Sequence, residues 1–170
     1  MTSDSRVVIR PASIEDAAGV VSVLQTVAAE RVHSAIDRAW TLGEQRSYMQ
    51  GLSPREAIHV AIAPSGAVVG CQSLDLYAQV LPSMAHVAQL GTFIVPEWRG
   101  QGVGRALFES TLRFARSVGY RKLVIHVRAS NASAQSFYKR LGFAECGRLR
   151  AQVVIDDRED DEILMEFFLP

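Results

Sequence analysis

The amino-acid sequence predicts an α/β fold on a mixed sheet, laid out as one domain over residues 1–170. Three observations predict it. The apolar run Leu90–Val95 leads through a glycine-rich turn into a long amphipathic stretch, and a second apolar run, "KLVIHV", follows it. Strand, helix and strand in that order form a right-handed crossover between parallel neighbours. "KLVIHV" is near-continuously apolar, as a central strand covered on both faces is. Paired runs around short turns before and after this unit ask for antiparallel hairpins, which makes the sheet mixed.

The elements follow in chain order. "RVVIR" (Arg6 to Arg10) reads as a first strand. Ser13 and Asp16 resemble a capping box that opens a helix, with Asp in place of Glu. Ala17, Val20, Val21, Leu24, Val27 and Ala28 recur at steps of three and four, the spacing of a buried helical face. A second helical piece is expected over Leu42–Leu52. Ile58 to Ala78 reads as two strands around Pro64-Ser65-Gly66, and His86 to Val95 as a further strand stopped by Pro96. From Val103 to Val118, the residues Val103, Leu107, Thr111, Phe114 and Val118 face inward, while Arg105, Glu109, Arg113 and Arg116 face outward; Glu109 and Arg113 are spaced to pair. Gly119 ends that helix. Asn131 caps a short helix that stops at Gly142. Two last strands, near Phe143–Ile155 and Ile163–Leu169, flank "DDREDDE", whose charges read as a solvated hairpin turn.

Composition narrows the function classes. Hydrophobic residues make up 48% of 170, enough for a real core, and no repeat, low-complexity tract or linker divides the chain. Lys plus Arg and Asp plus Glu number 18 each, which argues against a general nucleic-acid or membrane-surface binder. Cys71 and Cys146 are the two cysteines, and nothing in their placement requires a disulfide. The opening residues lack the pattern of a signal peptide and no apolar run approaches a membrane span, so a cytoplasmic protein is expected.

"PEWRGQGVGRAL" (Pro96 to Leu107) carries the chemistry. A helix N-terminus presents unpaired N–H groups and the positive end of the helix dipole. Gly100, Gly102 and Gly104 clear side chains from that end, and Arg99 and Arg105 add charge, which together suit an anion such as phosphate. A tight strand-to-helix turn would ask for glycine too. Two phosphate loops fail on detail. The nucleoside-triphosphate loop ends in Gly-Lys-Ser/Thr, where this chain has Gly104-Arg105-Ala106. The dinucleotide fingerprint needs GxGxxG and a later acid, against GxGxG and "LVIHVR" here.

Arg99-x-x-Gly102-x-Gly104 behind "FIVPEW" resembles the acyl-CoA pyrophosphate loop of the GNAT N-acetyltransferase superfamily, and "NASAQSFYKRLGF" (Asn131 to Phe143) resembles its second signature. The resemblance implies a mostly antiparallel sheet of about six to seven strands, a splayed central parallel pair and about four flanking helices. It implies acetyl-CoA as cosubstrate, no metal, and direct attack by a primary amine in a ternary complex. The backbone of Phe93, Ile94 and Val95 would hold the pantetheine arm in the splay. The pyrophosphate would lie on the N–H groups of Gln101, Gly102, Val103, Gly104 and Arg105, beside Arg99 and Gly100. Asn131 would contact the arm as well as cap its helix. Tyr138 matches the general acid toward the departing thiolate, its ring facing the cleft while Phe137 packs. Relatives often form homodimers, which keeps a homodimer compatible with this reading.

The base does not carry over. Gln89 stands where some relatives place a glutamate, and Glu97, Glu30, His86 and Glu145 are the alternatives. Without a strong base, an α-amine is the cheaper acceptor: at pH 7 it loses its proton for about 1–1.5 kcal/mol, against roughly 4–5 for a lysine-like amine. The expected acceptor is a small α-amino compound or a peptide N-terminus. The alternative is a non-catalytic acyl-CoA-binding module. His33, His59, His86 and His126 lack metal-ligand spacing and read as ordinary histidines. Trp40, Tyr48, Met49 and the segment Tyr77–Ala85 belong to the region that walls the acceptor pocket in relatives, and Trp40, Tyr48 and Met49 suit the core equally.

Overall fold

A computed structural model describes residues 7–170. The first strand, β1, covers Val8–Pro11; Arg6, placed in it by sequence, lies outside the described residues. Helices α1 (Ala17–Ala29) and α2 (Leu42–Gly51) come next, then strands β2 (Ala57–Ile62), β3 (Val68–Leu76) and β4 (Val87–Ile94). Helix α3 (Val103–Ser117) leads to β5 (Lys122–Arg128), and α4 (Ala132–Leu141) to the hairpin β6 (Ala144–Ile155) and β7 (Arg158–Phe168). The expected α/β fold is present as one seven-stranded sheet in the order β1-β2-β3-β4-β5-β7-β6. Only β4 and β5 run parallel; every other neighbouring pair is antiparallel.

The helices cover both faces of the sheet. Val20, Val23, Leu24 and Val27 of α1 bury against Ile58, Val60 and Cys71. On the opposite face, Phe108 and Ala115 of α3 and Tyr138 of α4 pack on Leu74, Leu90, Leu123 and Ile125. The inward stripe predicted for α3 is buried at Val103, Leu107 and Thr111, as the 3.6-residue period requires. Caps fall where local chemistry puts them. The Asp16 carboxylate accepts from the Ser13 N–H at 2.7 Å, and a 3₁₀ turn over Ile14–Asp16 precedes α1. Gly142 closes α4 at φ 101°, a left-handed stop that suits glycine.

One expectation fails. "DDREDDE" is not a turn: only Asp156 and Asp157 turn the hairpin, at φ 51° and 58°, and Arg158–Glu162 already belong to β7. Four of the acids, three of them in the strand, find a partner nearby. Asp156 pairs with Arg31, Asp160 with Arg128, Asp161 with Arg148, and Glu162 with His126. The run stays exposed over Asp156–Glu159, and folding gives four of its six acids separate polar partners.

Candidate active site

β4 and β5 pair at Val87–Lys122, Ala88–Leu123 and Gln89–Val124, and then part. Beyond that point β4 continues to Ile94 and β5 to Arg128. The splay opens a cleft of about 670 Å³. On its other edge β4 remains in register with β3 up to Gly70–Ile94. The Val95 N–H bonds the Val69 carbonyl at 3.1 Å, so alternation turns Phe93 and Gly91 toward β3 as well, and Leu90, Thr92 and Ile94 toward the gap. Val95's carbonyl also accepts from the Trp98 N–H at 3.0 Å. Of the three backbone positions expected at the gap, then, Ile94 faces it, while Phe93 faces β3 and both of Val95's groups are engaged within the chain. The sequence marked the strand but could not tell which parity the β3 register would select.

The glycine loop lies at the mouth of this cleft. The first bond into α3 runs from the Ala106 N–H to the Gly102 carbonyl, and among the described residues the N–H groups of Gly100, Gln101, Gly102, Val103, Gly104 and Arg105 have no backbone acceptor. Gly100 and Gly102 stand at φ 72° and 84°, where a side chain is strained. Gly104 is needed for a different reason: a Cβ there would lie 2.9 Å from the Phe137 ring. Turn geometry and open N–H groups are therefore two results of one conformation. Arg105 lines the cleft, as does Arg140 from α4. Arg99 is committed elsewhere. Its guanidinium pairs with both Glu30 oxygens at 2.8 and 2.5 Å, and its Nε donates to the Ile94 carbonyl at 2.9 Å. Arg99 thus braces the end of β4 against the end of α1, and the same pairing holds the Glu30 carboxyl below its ordinary pKa.

Tyr138 reaches the cleft from α4 and is only 6% exposed. Its hydroxyl donates to Thr92 Oγ1 at 2.7 Å, and Gln72 Nε2 donates to the same oxygen at 2.8 Å. Burial pushes the Tyr138 phenol up to about 12, partly offset by the Thr92 hydrogen bond. It therefore carries its proton at neutral pH. Phe137 also lines the cleft and packs edge-on against Tyr138, so both rings of the pair face it. Asn131 caps α4 through the Ala134 N–H at 3.1 Å and donates to the His33 carbonyl at 2.9 Å, tying the loop after α1 to the cleft wall.

None of Glu97, His86 and Glu145 lines the cleft, and Glu30 lies in its pair with Arg99. The group that sequence reading passed over is His126. It lines the cleft from β5, its Nδ1 lies 3.1 Å from Glu162 Oε2, and its Nε2 is buried without a partner. A carboxylate can only accept, so Nδ1 carries the hydrogen of this contact, and in the neutral ring Nε2 is the atom that presents a lone pair. No spacing could reveal this, because Glu162 arrives from β7, 36 residues on. His59 is ordinary: it is buried 3.1 Å from Thr111 Oγ1. Neither cysteine is primed to attack, since burial raises the thiol of Cys71 to about 12 and also raises that of Cys146. No cluster of metal-ligating side chains occurs among the described residues.

A second cleft, about 580 Å³, lies on the α1/α2 face and meets the first at Ile36, Gln89, Leu90, Gly91 and Phe93. Trp40 and Tyr48 line it, whereas Met49 packs into the core beside α1. The segment Tyr77–Ala85 lines neither cleft; it turns Val80, Leu81 and Met84 outward.

The fold and the cleft together define an acetyltransferase: residues 27–143 match the acetyltransferase (GNAT) family, and the chain belongs to it. Among its relatives, YwnH of Bacillus subtilis (strain 168), provisionally named a phosphinothricin acetyltransferase, is 25% identical over 90% of this chain and 93% of its own. The ribosomal protein bS18-alanine N-acetyltransferase of Escherichia coli (strain K12) is 39% identical, but over 41% of this chain and 47% of its own. Among solved structures, an N-acetyltransferase from Staphylococcus aureus Mu50 superimposes with a TM-score of 0.89 at 21% identity, covering 98% of this chain and 100% of that one. A phosphinothricin acetyltransferase from Sinorhizobium meliloti in complex with AcCoA gives a TM-score of 0.86 at 20% identity, over 96% and 88%. Among the described residues no helix is long and apolar enough to cross a membrane.

Proposed function

We propose that the chain moves the acetyl group of acetyl-CoA to the α-amine of a small compound or a peptide N-terminus, within one ternary complex. The run of N–H groups without acceptors from Gly100 to Arg105, at the mouth of the β4–β5 splay, carries this reading. Backbone donors at a helix N-terminus suit a diphosphate, and the edge at Leu90, Thr92 and the Ile94 N–H suits the amide-bearing arm behind it. The solved Sinorhizobium meliloti relative with AcCoA supports the choice of cosubstrate.

Bound there, acetyl-CoA supplies the thioester carbon that the amine attacks. His126, oriented by Glu162, takes the proton the amine gives up as the C–N bond forms. Tyr138 turns its O–H from Thr92 and donates that proton to the sulfur as the C–S bond breaks. Proton exchange between His126 and Tyr138, directly or through water, resets the site. An imidazole is a weaker base than either kind of amine, so the acceptor that loses its proton at lower cost is favoured. That is an α-amine, at about 1–1.5 kcal/mol against roughly 4–5 for an ε-amine.

The test has two parts. Calorimetry should record coenzyme A binding to the purified protein, and absence of binding removes the proposal. Free-thiol release from acetyl-CoA should then depend on added amine and run faster on α-amino compounds and peptide N-termini than on ε-amines. A consistent ε-amine preference defeats the acceptor assignment.

A further inference from the structure

The second cleft contains polar groups that acetyl transfer, as described so far, leaves unused. Asp75 and Gln89 stand directly opposite each other on β3 and β4, and their side chains share the α1/α2 face with Ser73. From α2, the Tyr48 hydroxyl donates to Asp75 Oδ1. Burial raises the Asp75 carboxyl, with the Tyr48 hydrogen bond acting against it. One turn before Tyr48 on the same helix, Gln45 is 1% exposed, lines this cleft, and has a side-chain oxygen with no partner. Leaving a buried oxygen unpaired is costly, and a ligand N–H would relieve it.

The surroundings define what such a ligand looks like. Trp40 packs edge-on to Tyr48, with ring centroids 5.1 Å apart, and Val20, Leu24 and Ile58 complete an apolar wall. A second anion would meet Asp75, and an alcohol brings a single donor without charge. A primary ammonium brings three donors and a positive charge, and aromatic faces favour a cation further.

We propose that this cleft binds the acceptor and that Asp75, fixed by Tyr48 and joined by Gln45, receives the ammonium end of a compact amine with an apolar body. The proposal rests on the acetyl-transfer reading, because the cleft reaches the splay through Gln89, Leu90 and Gly91. Asp75 is a specificity-determining residue here: it chooses and aligns the ammonium, which releases one proton to solvent before His126 takes the second as the C–N bond forms. Gly91 keeps the passage open, since a Cβ there would lie 3.1 Å from Ser73 Oγ and 3.2 Å from the Phe93 ring.

Phenethylammonium and its uncharged isostere phenethyl alcohol are the probes, titrated calorimetrically into the coenzyme A-loaded protein. The cation should bind roughly tenfold more tightly or better. Asp75→Asn should abolish that preference and Asp75→Glu should retain it, with coenzyme A affinity unchanged in both as the check on folding. Equal binding of the two probes by the unaltered protein overturns the inference, as does a full preference for the cation in a coenzyme-competent Asp75→Asn variant. Failure of coenzyme A to bind at all would instead strike the acetyl-transfer reading, so the two failures stay distinguishable.

Discussion

The two clefts that meet at Gln89 are built by opposite strategies. The β4 edge of the splay and its loop come from one contiguous stretch, Val87 to Arg105, faced by β5 and joined by Tyr138 from α4, and much of what that stretch offers a ligand is backbone. The second cleft draws on α1, α2, β2, β3 and β4, and it offers side chains: Asp75, Gln45, Tyr48 and Trp40. Backbone recognition has to be encoded locally, because only the residues of the loop decide its dihedral angles. Side-chain recognition can be assembled from any elements that folding brings together. A backbone site can therefore be carried by a short motif, while a side-chain site leaves no such mark in the sequence.

Breaking the local half should have the largest effect. Gly102→Val places a β-branched residue at φ 84°, which strains the turn by about 1–3 kcal/mol. It also turns away N–H groups whose charge-assisted hydrogen bonds are worth about 1.5–3 kcal/mol each. Coenzyme A affinity should fall by on the order of 100-fold in calorimetry while the far-ultraviolet dichroism stays native. Affinity within a few-fold of the unaltered protein would show that the loop's open N–H groups are not the anchor.

Next in size are the two groups that reach the splay from outside the loop. Tyr138→Phe and His126→Gln should each lower kcat by on the order of 100-fold or more, the usual range for a positioned acid or base, with coenzyme A affinity little changed. Loss of the Tyr138 hydroxyl, held near 12, should leave the acid side of the pH profile unaltered. A His126→Gln variant with undiminished kcat would return the base to an unidentified group or to water.

Legibility followed the same division. Strand–loop–helix–strand, the caps at Ser13, Asn131 and Gly142, and the inward stripe of α3 were all readable, because each depends on residues within one or two turns of one another. The parity of β4 was not, since the β3 register decides it: Leu90, Thr92 and Ile94 face the gap, and Val95 does not. His126 looked ordinary until β7 brought Glu162 to it, and Asp75 drew no attention because Tyr48 lies 27 residues away. The acidic run after Ile155 misled in the opposite direction. Its local density suggested a solvated turn, whereas four of its six acids have partners elsewhere in the fold.

The smallest expected effect tests whether a locally encoded feature that lines neither cleft behaves as locality predicts. Asp16 accepts from the Ser13 N–H and takes a two-point contact from Arg10 at 2.7 and 2.8 Å. The Arg10 hydrogen bonds, foremost, hold its carboxyl down at about 2. The unfolded value is near 3.9, so folding keeps the ionised form and this stabilisation is complete above about pH 4. It is lost as pH falls from about 4 toward 2, where the folded carboxyl also protonates. Asp16→Asn should cost about 1–2 kcal/mol at neutral pH, a cap together with a half-solvated ion pair, and lower the melting temperature by a few degrees. The gap between the two melting curves should close as pH approaches 2, while coenzyme A affinity at neutral pH remains that of the unaltered protein. A gap that persists unchanged at pH 2 would place the stabilisation in packing rather than charge, and altered coenzyme affinity would mean that α1 transmits its capping state to the splay.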